Sequence, residues 1–269
     1  MKDATELYRS INANGTDAEK LEACQAIMEA SGDRAFAISR AKSDGWWKDE
    51  VAEPCQAIME APGDRARAIS WAKLIGWWND EVAEPCQAIL EACDNRALAI
   101  SLAKSNGWWK DGVAEPCQAI LEAPGDRAVA ISLAKFSGWW NDEVADPCKA
   151  ILEAPGDRTY SIYCAKSCGW WKDGVAEPCK AILEAPGNRA MAISWAKSRG
   201  WWKDEVAEPC QAIMEASGNR AWAISWMKSN GWWKDEVAEP CQAIMEAPGD
   251  RAMAISLAKL EGWWKDSIS

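Results

Sequence analysis

Adjacent tryptophans begin at Trp46, Trp77, Trp108, Trp139, Trp170, Trp201, Trp232 and Trp263, so one pair returns every 31 residues without insertion or deletion. A strict period of this length restricts the chain to architectures in which one small unit is stacked repeatedly, because a single central core would give every copy a different environment. The expected form is one elongated array of about eight copies, with stability accumulating from contacts between neighbours. We divide the sequence into an N-terminal capping helix at 1–15, the array at 16–262, and a short segment at 263–269 that carries the last Trp pair.

One copy and the glycine that opens the next, "GWWKDEVAEPCQAIMEAPGDRARAISWAKLIG", run from Gly45 to Gly76. Its second half has the signals of a short helix: Asp64 as N-cap after the Pro62-Gly63 turn, apolar spacing through Ile69 and Ala72, and Gly76 as the stop. The segment "DEVAEPCQAIMEA" supplies another helix, with Asp49 as a candidate cap and Val51, Cys55, Ile58 and Met59 at i, i+4, i+7 and i+8. Pro54 sits inside it, and either begins the helix at its favoured first position or kinks a longer one. Both readings give antiparallel helix pairs and an all-α solenoid, a right-handed superhelix of eight pairs roughly 60–80 Å long at the usual spacing of packed helices. The Trp pair falls in the link between the helices, where two indoles per copy are expected to seal one edge of the array; a ligand-binding tryptophan ladder is the alternative.

The period, the Glu-Pro of "VAEPCQAIL" and the Asp-Arg with its Ala-rich continuation in "GDRAVAISLAKFSG" resemble the short HEAT-like repeats of the phycobilisome-lyase type, and the artificial α-helical repeat scaffolds derived from them. The resemblance runs from Thr16 to Trp264 and implies the α-solenoid fold. It also raises chromophore-lyase chemistry as a remote option, although a fold does not fix a function.

Copies compared within one chain separate what the architecture dictates from what it leaves free. The residues equivalent to Arg65, Ile69, Lys73 and Gly76 are identical in all eight copies. Four positions vary, those of Arg67, Trp71, Leu74 and Ile75; the first two hold Phe36, Arg67, Leu98, Val129, Tyr160, Met191, Trp222 and Met253, and Arg40, Trp71, Leu102, Leu133, Cys164, Trp195, Trp226 and Leu257. The four positions form one helix face, opposite the constant stripe. A constant face that packs beside a varied apolar face is the layout of a repeat protein that reads a protein partner, and these sixteen residues are the candidate partner-binding set. The competing reading makes the same side chains the interior of a two-layer sandwich.

Composition removes several functions. Histidine is absent and the formal charge is -11, which takes away the commonest acid-base group and metal ligand and argues against a nucleic-acid partner. There is no phosphate loop, no nucleophile set apart from its copies and no cofactor motif, so neither an enzyme nor a cofactor is expected. The recurring carboxylates Asp49, Glu53 and Glu60 read as a solvated face. Cys164 and Cys168 are too few for a metal site. A single-strand reader using the Arg65 and Lys73 ladders requires those cations to be free, whereas Asp64 and the acid excess point to local neutralisation. A hydrophobic-ligand or pigment-associated carrier remains an alternative.

Eight of the eleven cysteines recur at one repeat position and read as buried thiols in a reducing, intracellular compartment. The start "MKDATELYRS" has polar residues where an export signal requires an apolar stretch, and no apolar run is long enough to insert in a membrane. Leu7 and Ile11 give the first segment an apolar face suited to capping. The final helix has no covering partner in the sequence, so association at that end is expected, with an identical chain, with a larger assembly, or with further repeats of a longer array.

Overall fold

The computed structural model describes residues 3–10 and 15–265. Among them there are seventeen helices and no strand. The helices fall into two compact units, Met1–Val144 and Ala145–Ser269.

In the first unit the helices are α1 (Ala4–Ser10), α2 (Asp17–Glu29), α3 (Arg34–Ser43), α4 (Pro54–Glu60), α5 (Arg65–Ile75), α6 (Pro85–Glu91), α7 (Arg96–Ser105), α8 (Pro116–Glu122) and α9 (Arg127–Phe136). The second unit continues with α10 (Pro147–Glu153), α11 (Arg158–Ser167), α12 (Pro178–Glu184), α13 (Arg189–Ser198), α14 (Pro209–Glu215), α15 (Arg220–Ser229), α16 (Pro240–Glu246) and α17 (Arg251–Leu260). Each copy is thus a seven-residue proline helix followed by an arginine helix of ten or eleven residues. Within each unit successive arginine helices pack on one another, and each proline helix packs on its sequence neighbours, a solenoid of helix pairs.

Proline sets the length of the first helix of each pair. Pro54 occupies the first turn, where its missing N–H leaves no bond unmade, and the Glu53 side chain caps it by accepting from the Gln56 amide at 2.7 Å. The helix therefore starts at Pro54 and does not kink. Asp49, a candidate cap from the sequence, instead receives the Lys42 ammonium at 2.7 Å, and Val51 lies ahead of the helix in a turn closed by its amide on Lys48 O. Where Ala23 replaces the proline, the helix runs thirteen residues behind a Thr16–Glu19 capping box.

The arginine helix is enclosed on most of its circumference. Ala66, Ala68, Ile69, Ser70 and Ala72 are buried in α5, and the equivalents are buried in α7, α9, α13 and α15, Met227 standing in for the last alanine in α15. Alanine and serine on both flanks let adjacent arginine helices approach closely, and Ser39 Oγ donates to Ala68 O of the next helix. The core is completed by Cys55 and Ile58 and by the second tryptophan of each pair from Trp47 to Trp233, about 6% exposed.

At the first turns, the cap side chains join one copy to the next. Asp33 Oδ1 accepts from Phe36 N of its own helix at 2.9 Å and from Asp64 N of the following copy at 3.1 Å. Asn95, Asn188 and Asn219 repeat the second bond with Asp126, Asn219 and Asp250. Gly63 has φ +109 beside Asp33, so only glycine fits the turn that brings the two caps together. Helix α1 enters the same way at the start: Asp3 accepts from Thr5 N, and Ala4 N donates to Ser31 O. Leu7 lies in this helix, and Ile11 lies outside the described residues.

Candidate functional site

The repeated residues occupy structural positions, and their partners explain their constancy. Arg65 Nη1 donates to Met59 O at 2.8 Å, and Arg189 Nη1 to Leu183 O at 2.8 Å. Arg34, Arg96, Arg127, Arg158 and Arg220 make the same contact. The guanidinium thus closes an orphan carbonyl at the C-terminus of the preceding proline helix, where positive charge is favoured. Lys73 Nζ lies 2.6 Å from Asp80, and the same lysine–aspartate pair recurs from Lys42 to Lys228. The neutralising carboxylate is therefore Asp80 and its equivalents. Asp64, to which the sequence pointed, is a helix cap.

All eleven cysteines are free. The eight repeated thiols are buried against the next Trp loop: Asn79 N donates to Cys55 Sγ at 3.3 Å, and Lys234 N to Cys210 Sγ at 3.4 Å. Burial pushes the Cys55, Cys117, Cys179 and Cys210 thiols up to about 11, so they stay protonated and inert. In the Trp loop the second indole donates to the carbonyl two residues before the proline, as Trp78 Nε1 does to Ala83 O at 2.9 Å. The first indole of Trp77, Trp139, Trp201 and Trp263 reaches back to a serine, as in Trp77 Nε1 to Ser43 Oγ at 3.0 Å.

The varied positions lie elsewhere. None of the sixteen side chains is buried. Trp71, Leu102, Tyr160 and Met253 are 40%, 38%, 39% and 56% exposed. Arg67 is exposed, and Phe36, Arg40, Leu98, Val129, Leu133, Cys164, Met191, Trp195, Trp222, Trp226 and Leu257 are half-buried. The face runs along each arginine helix between the flanks that pack, so the sandwich interior is made by other residues.

In the first unit this face forms a pocket of about 120 Å³ between α3 and α5, lined by Phe36, Ser39, Arg40, Arg67, Ala68 and Trp71. The two arginines cross between the helices. Arg40 lies over the Trp71 ring at 5.6 Å, and Arg67 over the Phe36 ring at 5.2 Å. Tyr8 adds to the rim: its hydroxyl donates to Asp44 at 2.6 Å, and its ring stacks on Trp46 at 6.0 Å. No protein-family model, curated protein or solved structure matches this chain.

In the second unit the face is aromatic. Tyr163 lies 5.3 Å from Trp195 and stacks on Trp201 at 6.3 Å, while Tyr160 meets Trp195 edge-on. Trp222 and Trp226 stack at 5.1 Å with planes 10° apart, and Trp226 Nε1 donates to Ser198 Oγ. A hydrogen bond with Cys164 pushes the Tyr160 phenol up to about 12, so it remains a neutral donor.

Tyr163, Arg199 and Tyr8 belong to these clusters and were not in the sequence-derived set. Tyr163 was findable, because it replaces a serine found at that position in every other copy. Arg199, whose Nε donates to the Tyr163 hydroxyl at 3.4 Å, occupies the varied position of Ile75 and was findable in the same way, whereas Tyr8 gave no such signal. Cys164 and Cys168 gather no further ligands: among the described residues no group of three or more His, Cys, Asp or Glu could hold a metal. No helix among them is long and apolar enough to cross a membrane.

Proposed function

We propose that this protein is a non-enzymatic interaction scaffold that holds a protein partner on the varied faces of its arginine helices. One observation carries the reading: the sixteen residues at the two varied positions of Arg67 and Trp71 are all at least partly exposed, while the repeated isoleucines on the same helices are buried in every covered layer. Exposed apolar and aromatic surface of this kind within each unit is uncommon on soluble chains unless something covers it, and tryptophan, tyrosine and arginine are the usual carriers of binding energy.

The other readings have less support. A nucleic-acid reader would need the arginine and lysine ladders, and these are engaged on carbonyls and aspartates. A pigment carrier calls for an enclosed apolar cavity; the grooves of about 490 and 460 Å³ in the second unit are open and edged by Glu208, Glu215, Glu177 and Lys180. On α17 the flank carrying Ala252 and Ser256 is exposed, in contrast to Ala221 and Ser225 of α15, and offers a second surface for an identical chain or a larger assembly. Sedimentation at micromolar concentration tests that association.

The main reading is tested by replacing Trp195, Trp222 and Trp226 with serine and capturing partners from the native source. Capture should be lost while the melting temperature stays within a few degrees of the parent. Undiminished capture, or recovery of nucleic acid or pigment in place of protein, refutes it.

A further inference from the structure

We propose that the pocket lined by Phe36, Arg40, Arg67 and Trp71 binds the carboxylate of a glutamate side chain presented by a partner peptide. The inference rests on the scaffold reading and names the chemistry that one part of its surface selects.

Three observations converge on a carboxylate. The first is the state of the cations. The repeated arginines and lysines have carbonyl or carboxylate partners, and among the described residues Arg67 has no carboxylate within ion-pair distance. Arg40 has Asp44 at 4.0 Å and the Tyr8 hydroxyl nearby. Two guanidiniums therefore line one pocket, with Asp44 at 4.0 Å from Arg40 and Asp64 acting on Arg67 from beyond ion-pair distance, and an incoming anion relieves the repulsion between them.

The second is the way the guanidiniums are held. Each lies over an aromatic ring of the neighbouring helix. A guanidinium held over a ring still has its in-plane N–H donors to offer a partner. A planar acceptor with two oxygens matches that fork, and such charge-assisted pairs are the strong members of their class.

The third is size and charge. A pocket of about 120 Å³ admits a side-chain end group and not a ring system or a bound helix. Its two guanidiniums lie in the field of Asp44 and Asp64, so little positive excess is left, in a chain whose formal net charge is -11. That balance suits a monoanion better than a phosphate, which approaches two negative charges at neutral pH. The Phe36 and Trp71 rings provide apolar walls for side-chain methylenes, which makes glutamate a better fit than a free inorganic anion.

The test uses the full chain and three blocked pentapeptides: Ala-Leu-Glu-Leu-Ala and its versions with glutamine or phosphoserine at the centre. Binding is read from NMR shifts of the Trp71 indole and the Arg67 guanidinium during titration. The glutamate peptide should shift both signals and bind at least about tenfold more tightly than the glutamine peptide, the discrimination expected of a charge-assisted bidentate pair. Arg67→Leu and Arg40→Leu should each abolish that preference. Both introduce the leucine that Leu98 and Leu102 place at the equivalent positions of another copy, so the fold tolerates them.

Equal affinity for the glutamate and glutamine peptides overturns the proposal, as does a silent Trp71 signal at millimolar peptide. A phosphoserine peptide binding more than tenfold tighter than the glutamate peptide reassigns the pocket to phosphate and also overturns it. Peptide binding without capture of any native protein sinks the scaffold reading alone, whereas undiminished partner capture by Arg67→Leu with no peptide binding sinks the pocket alone.

Discussion

Replacing Gly63 with alanine should destabilise the array far more than the same change at Gly76, although both glycines have positive φ, +109 and +90. At Gly76 nothing lies within 4 Å of the added Cβ. The penalty there is the left-handed backbone alone, about 1–2 kcal/mol, reduced by the smaller entropy of the unfolded alanine chain. At Gly63 the Cβ would fall 2.1 Å from Asp33 Oδ1 and 2.7 Å from Asp33 Cα. The backbone atom cannot move aside, so the carboxylate must give up its bonds to Phe36 N and Asp64 N. Loss of a helix cap and of a charged inter-copy hydrogen bond brings the total to about 3–5 kcal/mol. Gly112→Ala, with nothing within 4 Å and no positive φ, should lie within about 0.5 kcal/mol of the parent. Guanidinium unfolding followed by circular dichroism, with hydrogen exchange at the Asp64 amide, measures both the size and the place of the loss. Equal effects at Gly63 and Gly76, or an Asp64 amide that stays protected in Gly63→Ala, would refute the reasoning. One copy already carries a version of the experiment. Asp94 stands where Gly63 stands, Asn95 makes no side-chain cap bond, and no bond from its amide to Asp64 forms. Asp94→Gly should restore both and stabilise by about 1 kcal/mol.

Three further outcomes follow from particular side chains. Burial, then the nearby Asp33 and Asp94 carboxylates, hold Asp64 above its ordinary range; a raised folded-state value means that its contribution to stability, full below the unfolded value, is lost as pH rises. Asp64→Asn, which keeps the cap as Asn188 and Asn219 do, should therefore melt higher than the parent at pH 7, with the advantage disappearing below about pH 4. Iodoacetamide at pH 8 should alkylate exposed Cys93 and Cys168 rapidly and half-buried Cys164 slowly, leaving the eight buried thiols intact by mass spectrometry; modification of Cys55 at the same rate would contradict its assigned burial. Trp108 Nε1 is buried without an acceptor because Leu74 replaces the serine that serves Trp77 in the preceding copy. Leu74→Ser should stabilise by about 1 kcal/mol and move the Trp108 indole N–H signal downfield.

The sequence alone determined the repeat, the helix pairs and the separation of constant from varied positions. Each of these is a local or periodic property: a glycine stop, an aspartate cap and a stripe at helical spacing can be read wherever they occur. The tertiary structure decided which partner each constant residue meets. Arg65 closes a carbonyl six residues back and Cys55 receives an amide twenty-four residues ahead, in the next copy. Neither relation shows in the spacing of like residues, because it joins different positions of the repeat. The same holds for the candidate site. The varied stripe was legible as a set, but the pairing of Arg40 with Trp71 and of Arg67 with Phe36 depends on how adjacent helices set their side chains against each other. Exposure was also a tertiary decision: small residues at Ala66 and Ser70 allow neighbours to close both flanks of the arginine helix, while the varied strip stays in contact with water.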